Sequence, residues 1–165
     1  MIFIDSNVDV YGLRWTGNIW DTMGATSVWD STASVQTKKS IDVAYETTSG
    51  DILFVWGDSK NNIQMYRSYS GVTLSPTISL TSSNSNGLIS WVSLVSNPTA
   101  SSNQIMYGFL DESRRLNTYI WNGTNWSAIH PIHTANAQTA STGNFGIVYE
   151  THINNLGDAW LVYGE

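Results

Sequence analysis

Three phrases of the chain share one pattern, an unbroken apolar run closed by an acidic residue. They are "DILFVWGD" ending at Asp58, "QIMYGFLD" ending at Asp111 and "DAWLVYGE" ending at Glu165, so the closing carboxylates stand 53 and 54 residues apart. A strand that is apolar at successive positions has protein against both of its faces. Each run is therefore predicted as a central strand covered on two sides. For Ala159–Tyr163 this means a buried strand, paired near the N-terminal strand of its own chain or of a partner. "NIQMYRSY" (62–69) mixes polar and aromatic residues instead, as suits a strand with one wet face.

Two further elements recur at similar spacing. "IDVAYE" (41–46) returns as "FGIVYE" (145–150), with "ISWVSLVS" (89–96) as a degenerate middle copy. A turn motif, aromatic-x-Gly-x-x-Trp/Leu, reads Trp15 to Trp20, Tyr69 to Leu74 and Trp121 to Trp126, with glycines at 17, 71 and 123. Glycines in "TTSGD" (47–51) and "NNLGD" (154–158) mark tight hairpins between strand-like runs. The chain divides into units of about 53 residues, roughly 8–61, 62–114 and 115–165, each reading strand, polar stretch, strand, hairpin, strand. The polar stretch 21–40 is expected to hold a short outer strand around Thr26–Trp29. No segment has the length and apolar period of an amphipathic helix.

Units of this size with three or four strands predict an all-β fold and, within it, β-propeller blades. The units resemble blades of the broad class of propellers with an aromatic-x-Gly-x-x-Trp turn, which includes sialidase-like and lectin-like propellers. Small fucose-binding propellers carry a similar Trp-x-Gly-x-x-Trp run, and there an Arg and a Glu grip the sugar. Here Gly12, Tyr66 and Thr118 precede the motif glycines by five residues, without a Glu, and Asp42 stands where a basic residue is expected. A closed propeller needs four to eight blades, and three leave open edges. Two arrangements satisfy this: closure by oligomerisation, with two chains forming a homodimeric six-bladed ring, or membership of a larger propeller in a longer parent chain.

Composition agrees with many short strands. Eight Trp and eight Tyr favour sheets, only 12% of residues are charged, and Ser, Thr, Asn and Gly supply the polarity. A single domain of 165 residues buries roughly 70% of its unfolded surface. A net charge of −6, with no basic run longer than Lys38-Lys39 or Arg114-Arg115, argues against nucleic acid as a partner. No stretch approaches the ~20 apolar residues of a membrane-inserted helix, and the apolar run before Asp5 is too short for a signal-peptide core. Without cysteine there is neither disulfide nor thiolate chemistry. An extracellular or surface setting is favoured.

The candidate ligand-binding residues are Trp15, Trp20, Tyr69, Trp121 and Trp126. Flat aromatic faces beside Asn and Thr suit stacking on sugar rings, and equally suit wedging between adjacent blades. No catalytic residue is expected. Tyr45-Glu46 and Tyr149-Glu150 match the Tyr and Glu of sialidase-like hydrolysis, but the pair occurs in two repeats, and neighbours on a strand face opposite ways. No metal or other cofactor is expected either. His130 and His133 lack a third zinc ligand nearby, and no Asp-x-Asp-x-Asp spacing suggests calcium. Asn122 and Asn125 are formal glycosylation sequons, better explained by turn chemistry. The function expected is a non-enzymatic binding or assembly module for protein–protein or surface contact. A carbohydrate-binding lectin is the alternative, and a glycosidase-like enzyme ranks below both.

Overall fold

A computed structural model describes residues 1–25, 27–34, 38–137, 145–151 and 157–165. The chain is all-β, with fourteen strands among the described residues and every pairing antiparallel. Two four-stranded meanders form its centre. One runs β5 (Ile41–Tyr45), β6 (Ile52–Gly57), β7 (Ile63–Tyr69), β8 (Ile78–Thr81), and the other β9 (Ile89–Ser96), β10 (Ile105–Asp111), β11 (Leu116–Trp121), β12 (His130–His133). Before them stand two short hairpins, β1 (Ile2–Ile4) with β2 (Val10–Gly12) and β3 (Arg14–Trp15) with β4 (Trp20–Asp21). After them comes one hairpin, β13 (Phe145–Tyr149) with β14 (Ala159–Tyr163). The repeat breaks near 62 and 115 fall at the β6–β7 and β10–β11 hairpins, inside the two meanders.

These pieces stack as four layers, with an apolar cluster at each of the three joints. Ile52, Phe54 and Trp56 of β6 face the first layer, where they meet Val10, Met23 and Trp29. The alternate residues Leu53 and Val55 face the second meander, against Val92, Leu94, Tyr107 and Phe109. Every residue of β6 is buried, as an unbroken apolar run requires. Leu110, Leu116 and Trp91 of the second meander then meet Phe145, Leu161 and Tyr163 of the last layer. The two meanders and the last layer approach most closely through their leading strands, β5 with β9 and β9 with β13, whereas the first layer meets β5 through β1.

The acidic residues that close the apolar runs cap the turns beyond them, the side chain standing in for a backbone acceptor. Asp58 Oδ1 accepts the Lys60 N–H at 2.7 Å. Asp111 accepts the Arg115 N–H at 2.9 Å through Oδ1, and the Asn86 N–H at 2.7 Å through Oδ2. Asp5 accepts the N–H groups of Asn7 and Asp9 in the same way. Asp5 lies 53 residues before Asp58, so "MIFID" is the end of another copy of the central strand, shortened to β1. The sequence pattern hid it because only the tail of the apolar run is present. Glu165 differs, lying 3.6 Å from His133 Nδ1.

Ala159–Tyr163 departs from expectation. It forms β14, but one face only is covered: Leu161 and Tyr163 pack inward, while Trp160 is 63% and Val162 70% exposed. Among the described residues it pairs with β13 alone. The physical reason is that, among the described residues, no layer lies against its other face. The single chain closes no ring among the described residues. The expected outer strand near Thr26–Trp29 lies partly outside the described residues; Trp29 itself is buried edge-on against Phe54, with ring centroids 4.9 Å apart. The hairpin residues 154–156 also lie outside them.

The joint between the second meander and the last layer depends on one missing side chain. A Cβ on Gly108 would lie 2.6 Å from Ile147 Cδ1 and 2.7 Å from Phe145 Cε2. Gly108→Ala is expected to cost about 1–3 kcal/mol by overpacking, read from denaturant unfolding. Combined with Ile147→Ala, the two changes should cost less than their sum; strict additivity would show that the two residues do not meet.

Candidate functional site

The three aromatic turns are built identically from their sequence. Gly17, Gly71 and Gly123 have φ of 100°, 79° and 98°, and the residue after each is not in the left-handed region. This is the pattern of a type II′ hairpin turn with Gly first. The residue before each glycine closes the turn through its backbone: Thr16 N–H donates to Ile19 C=O, Ser70 to Thr73 and Asn122 to Asn125, at 3.0–3.1 Å. Its side chain accepts in return, Thr16 Oγ1 from Ile19 N–H, Ser70 Oγ from Thr73 N–H and Asn122 Oδ1 from Asn125 N–H. The Asn122 sequon side chain is thus engaged in turn closure. The flanking residues pair across the hairpin as Trp15 with Trp20, Tyr69 with Leu74 and Trp121 with Trp126.

One motif is placed in two different environments. Trp121 is only 4% exposed and Trp126 is partly buried; both lie edge-on to Tyr66 of the preceding meander, at 5.9 and 5.4 Å. The Trp121 indole N–H donates across the joint to Glu46 Oε1 at 2.7 Å. Tyr69 is buried as well, its hydroxyl donating to Gly71 C=O at 2.7 Å and the Arg14 guanidinium lying 4.9 Å above its ring. Trp15 and Trp20 are instead 51% and 53% exposed, their rings 5.4 Å apart and tilted, beside a 2.8 Å ion pair of Arg14 with Asp21. Three of the five candidate aromatics therefore pack between layers, and two form an open aromatic pair at one end of the stack.

The remaining candidates separate in the same way. Tyr45 is exposed and Glu46 buried, on opposite faces of the β5 end. Glu46 accepts from Ser49 Oγ at 2.6 Å as well as from the Trp121 indole, so this carboxylate serves as an interlayer acceptor. That role was not visible in "IDVAYE" itself; the recurrence of Glu after Tyr at 46 and 150 was its only signal. His130 and His133 lie on β12, while His152 is outside the described residues. Among the described residues no cluster of three or more His, Asp or Glu could hold a metal ion. A cavity of about 420 Å³ opens in the first layer, lined by Phe3, Tyr11, Gly12, Leu13, Thr22, Ala25, Ser27 and Trp29.

Comparison of the chain with protein-family models, with curated proteins and with solved structures finds no match.

The Asp51 carboxyl lies above the ordinary aspartate range, raised first by desolvation and then by the charge of Glu46. Its charged form is thus disfavoured in the folded state. Asp51 therefore subtracts from stability at pH above its folded value, and the penalty fades as pH falls through it. In Glu46→Gln, the Asp51 titration followed by carbon NMR should move down toward its usual range without reaching it, because desolvation remains; an unmoved titration would remove Glu46 as a cause. Glu46→Ala, which leaves the buried Trp121 N–H without its acceptor, should cost about 1–3 kcal/mol of stability.

Proposed function

We propose that the chain is a non-enzymatic binding and assembly module whose three repeat units form β-propeller blades, the two meanders as whole blades and the end layers as shorter ones, completed by a second copy or within a longer parent chain. The observation that carries this is the stack itself. Its meanders and last layer meet front to back through their leading strands, as blades around an axis do, and among the described residues its two outermost faces are apolar and uncovered. Repeated layers of this kind are stabilised by nearest-neighbour joints, and their end units need either a polar outer face or a partner. The side chains on both end faces are aromatic and aliphatic, which suits protein contact. Light scattering across a concentration series tests the proposal: a mass of two chains is expected, and a constant 18.2 kDa species would overturn assembly by this chain alone.

A lectin reading is favoured by one observation, the exposed Trp15–Trp20 pair beside the polar Thr16, Asn18 and Arg14. An indole pair open to solvent can stack on a sugar ring as it can on protein. On a glycan array the assembly reading expects no binding. Binding that is lost in Trp20→Ala, with the fold intact by circular dichroism, would replace it with the lectin reading.

A further inference from the structure

The repeat identifies what covers each uncovered end. At the joint between the two meanders, the front face of one layer presents Ala44, Leu53 and Val55, with Glu46 at its edge. The back face of the next presents Tyr107, Phe109, Tyr119 and the Trp121–Trp126 pair. Strand pairing fixes the counterparts. Ala44 pairs with Leu53 and Asp42 with Val55, as Val148 pairs with Trp160 and Gly146 with Val162. The exposed Val148, Trp160 and Val162 are therefore a second copy of that front face, with Glu150 in the place of Glu46. On the first layer, Phe3 pairs with Tyr11 as Trp56 pairs with Met65, and the motif sets Trp15 and Trp20 in the places of Trp121 and Trp126. Phe3, Leu13, Trp15 and Trp20 are a second copy of the back face.

We propose that the front face of the last layer docks on the back face of the first layer of a second copy of this chain, with Glu150 accepting the Trp15 indole N–H as Glu46 accepts that of Trp121. This rests on the assembly reading and specifies its joint. Three features commit the site to a second copy. First, the intramolecular joint shows this face type covered by this back-face type. Second, the knob and the receiving surface match in size: Trp160 is larger than its counterpart Leu53, and Phe3, Tyr11 and Leu13 of the receiving face also line a cavity of about 420 Å³ in the first layer. Third, the polar ties match. Asp42 binds the Leu94 N–H of β9 at 2.9 Å, and its counterpart is Gly146; the first layer has no strand in the β9 position among the described residues.

The contact is heterologous, one patch meeting a different patch, so it closes into a ring where the rotation allows and extends where it does not. This gives a test that mere stickiness fails. Trp160→Glu spoils the front face and Trp20→Glu the back face; both side chains are exposed, and circular dichroism checks each fold, with Val162→Asp in reserve should Trp160→Glu unfold. By sedimentation velocity, wild type should associate, each variant alone should be monomeric, and an equimolar mixture should form a 1:1 complex through the one intact pair of faces. Trp15→Phe, which removes only the indole N–H and some area, should weaken wild-type association about tenfold. Association that survives both Glu substitutions, or variants that stay apart on mixing, would overturn these faces and leave the assembly reading standing. A wild-type chain monomeric up to about 1 mM would overturn both.

Discussion

A strand that is apolar on both faces has to be covered twice. Ile52–Gly57 is the centre from which the rest of the molecule is arranged: Ile52, Phe54 and Trp56 require a layer on one side, and Leu53 and Val55 require one on the other. Burial of large side chains such as Phe54 and Trp56 is worth roughly 1.5–3 kcal/mol each, too much to forgo on either face. Each covering layer has a similar central strand and passes the same requirement outward. A stack built on this rule has no natural end within itself, so its apolar demand arrives undiminished at β14 and at the first layer.

The buried carboxylates inside the stack have fixed partners. Glu46, Asp58 and Asp111 are buried carboxylates, and each accepts from N–H or O–H donors. The turn caps tie a layer to itself, whereas Glu46 ties one layer to the next. Hydrogen bonds add register here more than energy, because the apolar surfaces at a joint are broad and tolerant while a carboxylate and an indole N–H meet in one way only. Trp56 Nε1 donates to Asp30 Oδ2 at 2.7 Å and serves the first joint in the same manner.

Much of this architecture was legible in the sequence, and the reason it was legible also explains where it misled. The unbroken run at Ile52–Trp56, the acidic residues Asp58 and Asp111 closing their runs, and the glycine turns at Gly17, Gly71 and Gly123 are local consequences of local residues, and they stand in the fold. The environment of a repeated phrase is not local. Trp15–Trp20 and Trp121–Trp126 share one motif and one turn, yet one pair is open and the other enclosed, because only the second has a layer in front of it. "DAWLVYGE" carries the pattern of a doubly covered strand and is covered once. The N-terminal copy was missed because three residues of strand are too few to show a pattern of two buried faces.

Although the joints follow one plan, they are not interchangeable. Where β6 carries Val55 and β14 carries Val162, β10 carries Gly108, and the space a valine would take is filled by Phe145 and Ile147. The order of the units is therefore written in side-chain volume. Transposing the last layer to follow the first meander would set Phe145 and Ile147 against Val55, a joint with no room for them. At this joint the internal sequence of units is thus fixed by an absent side chain.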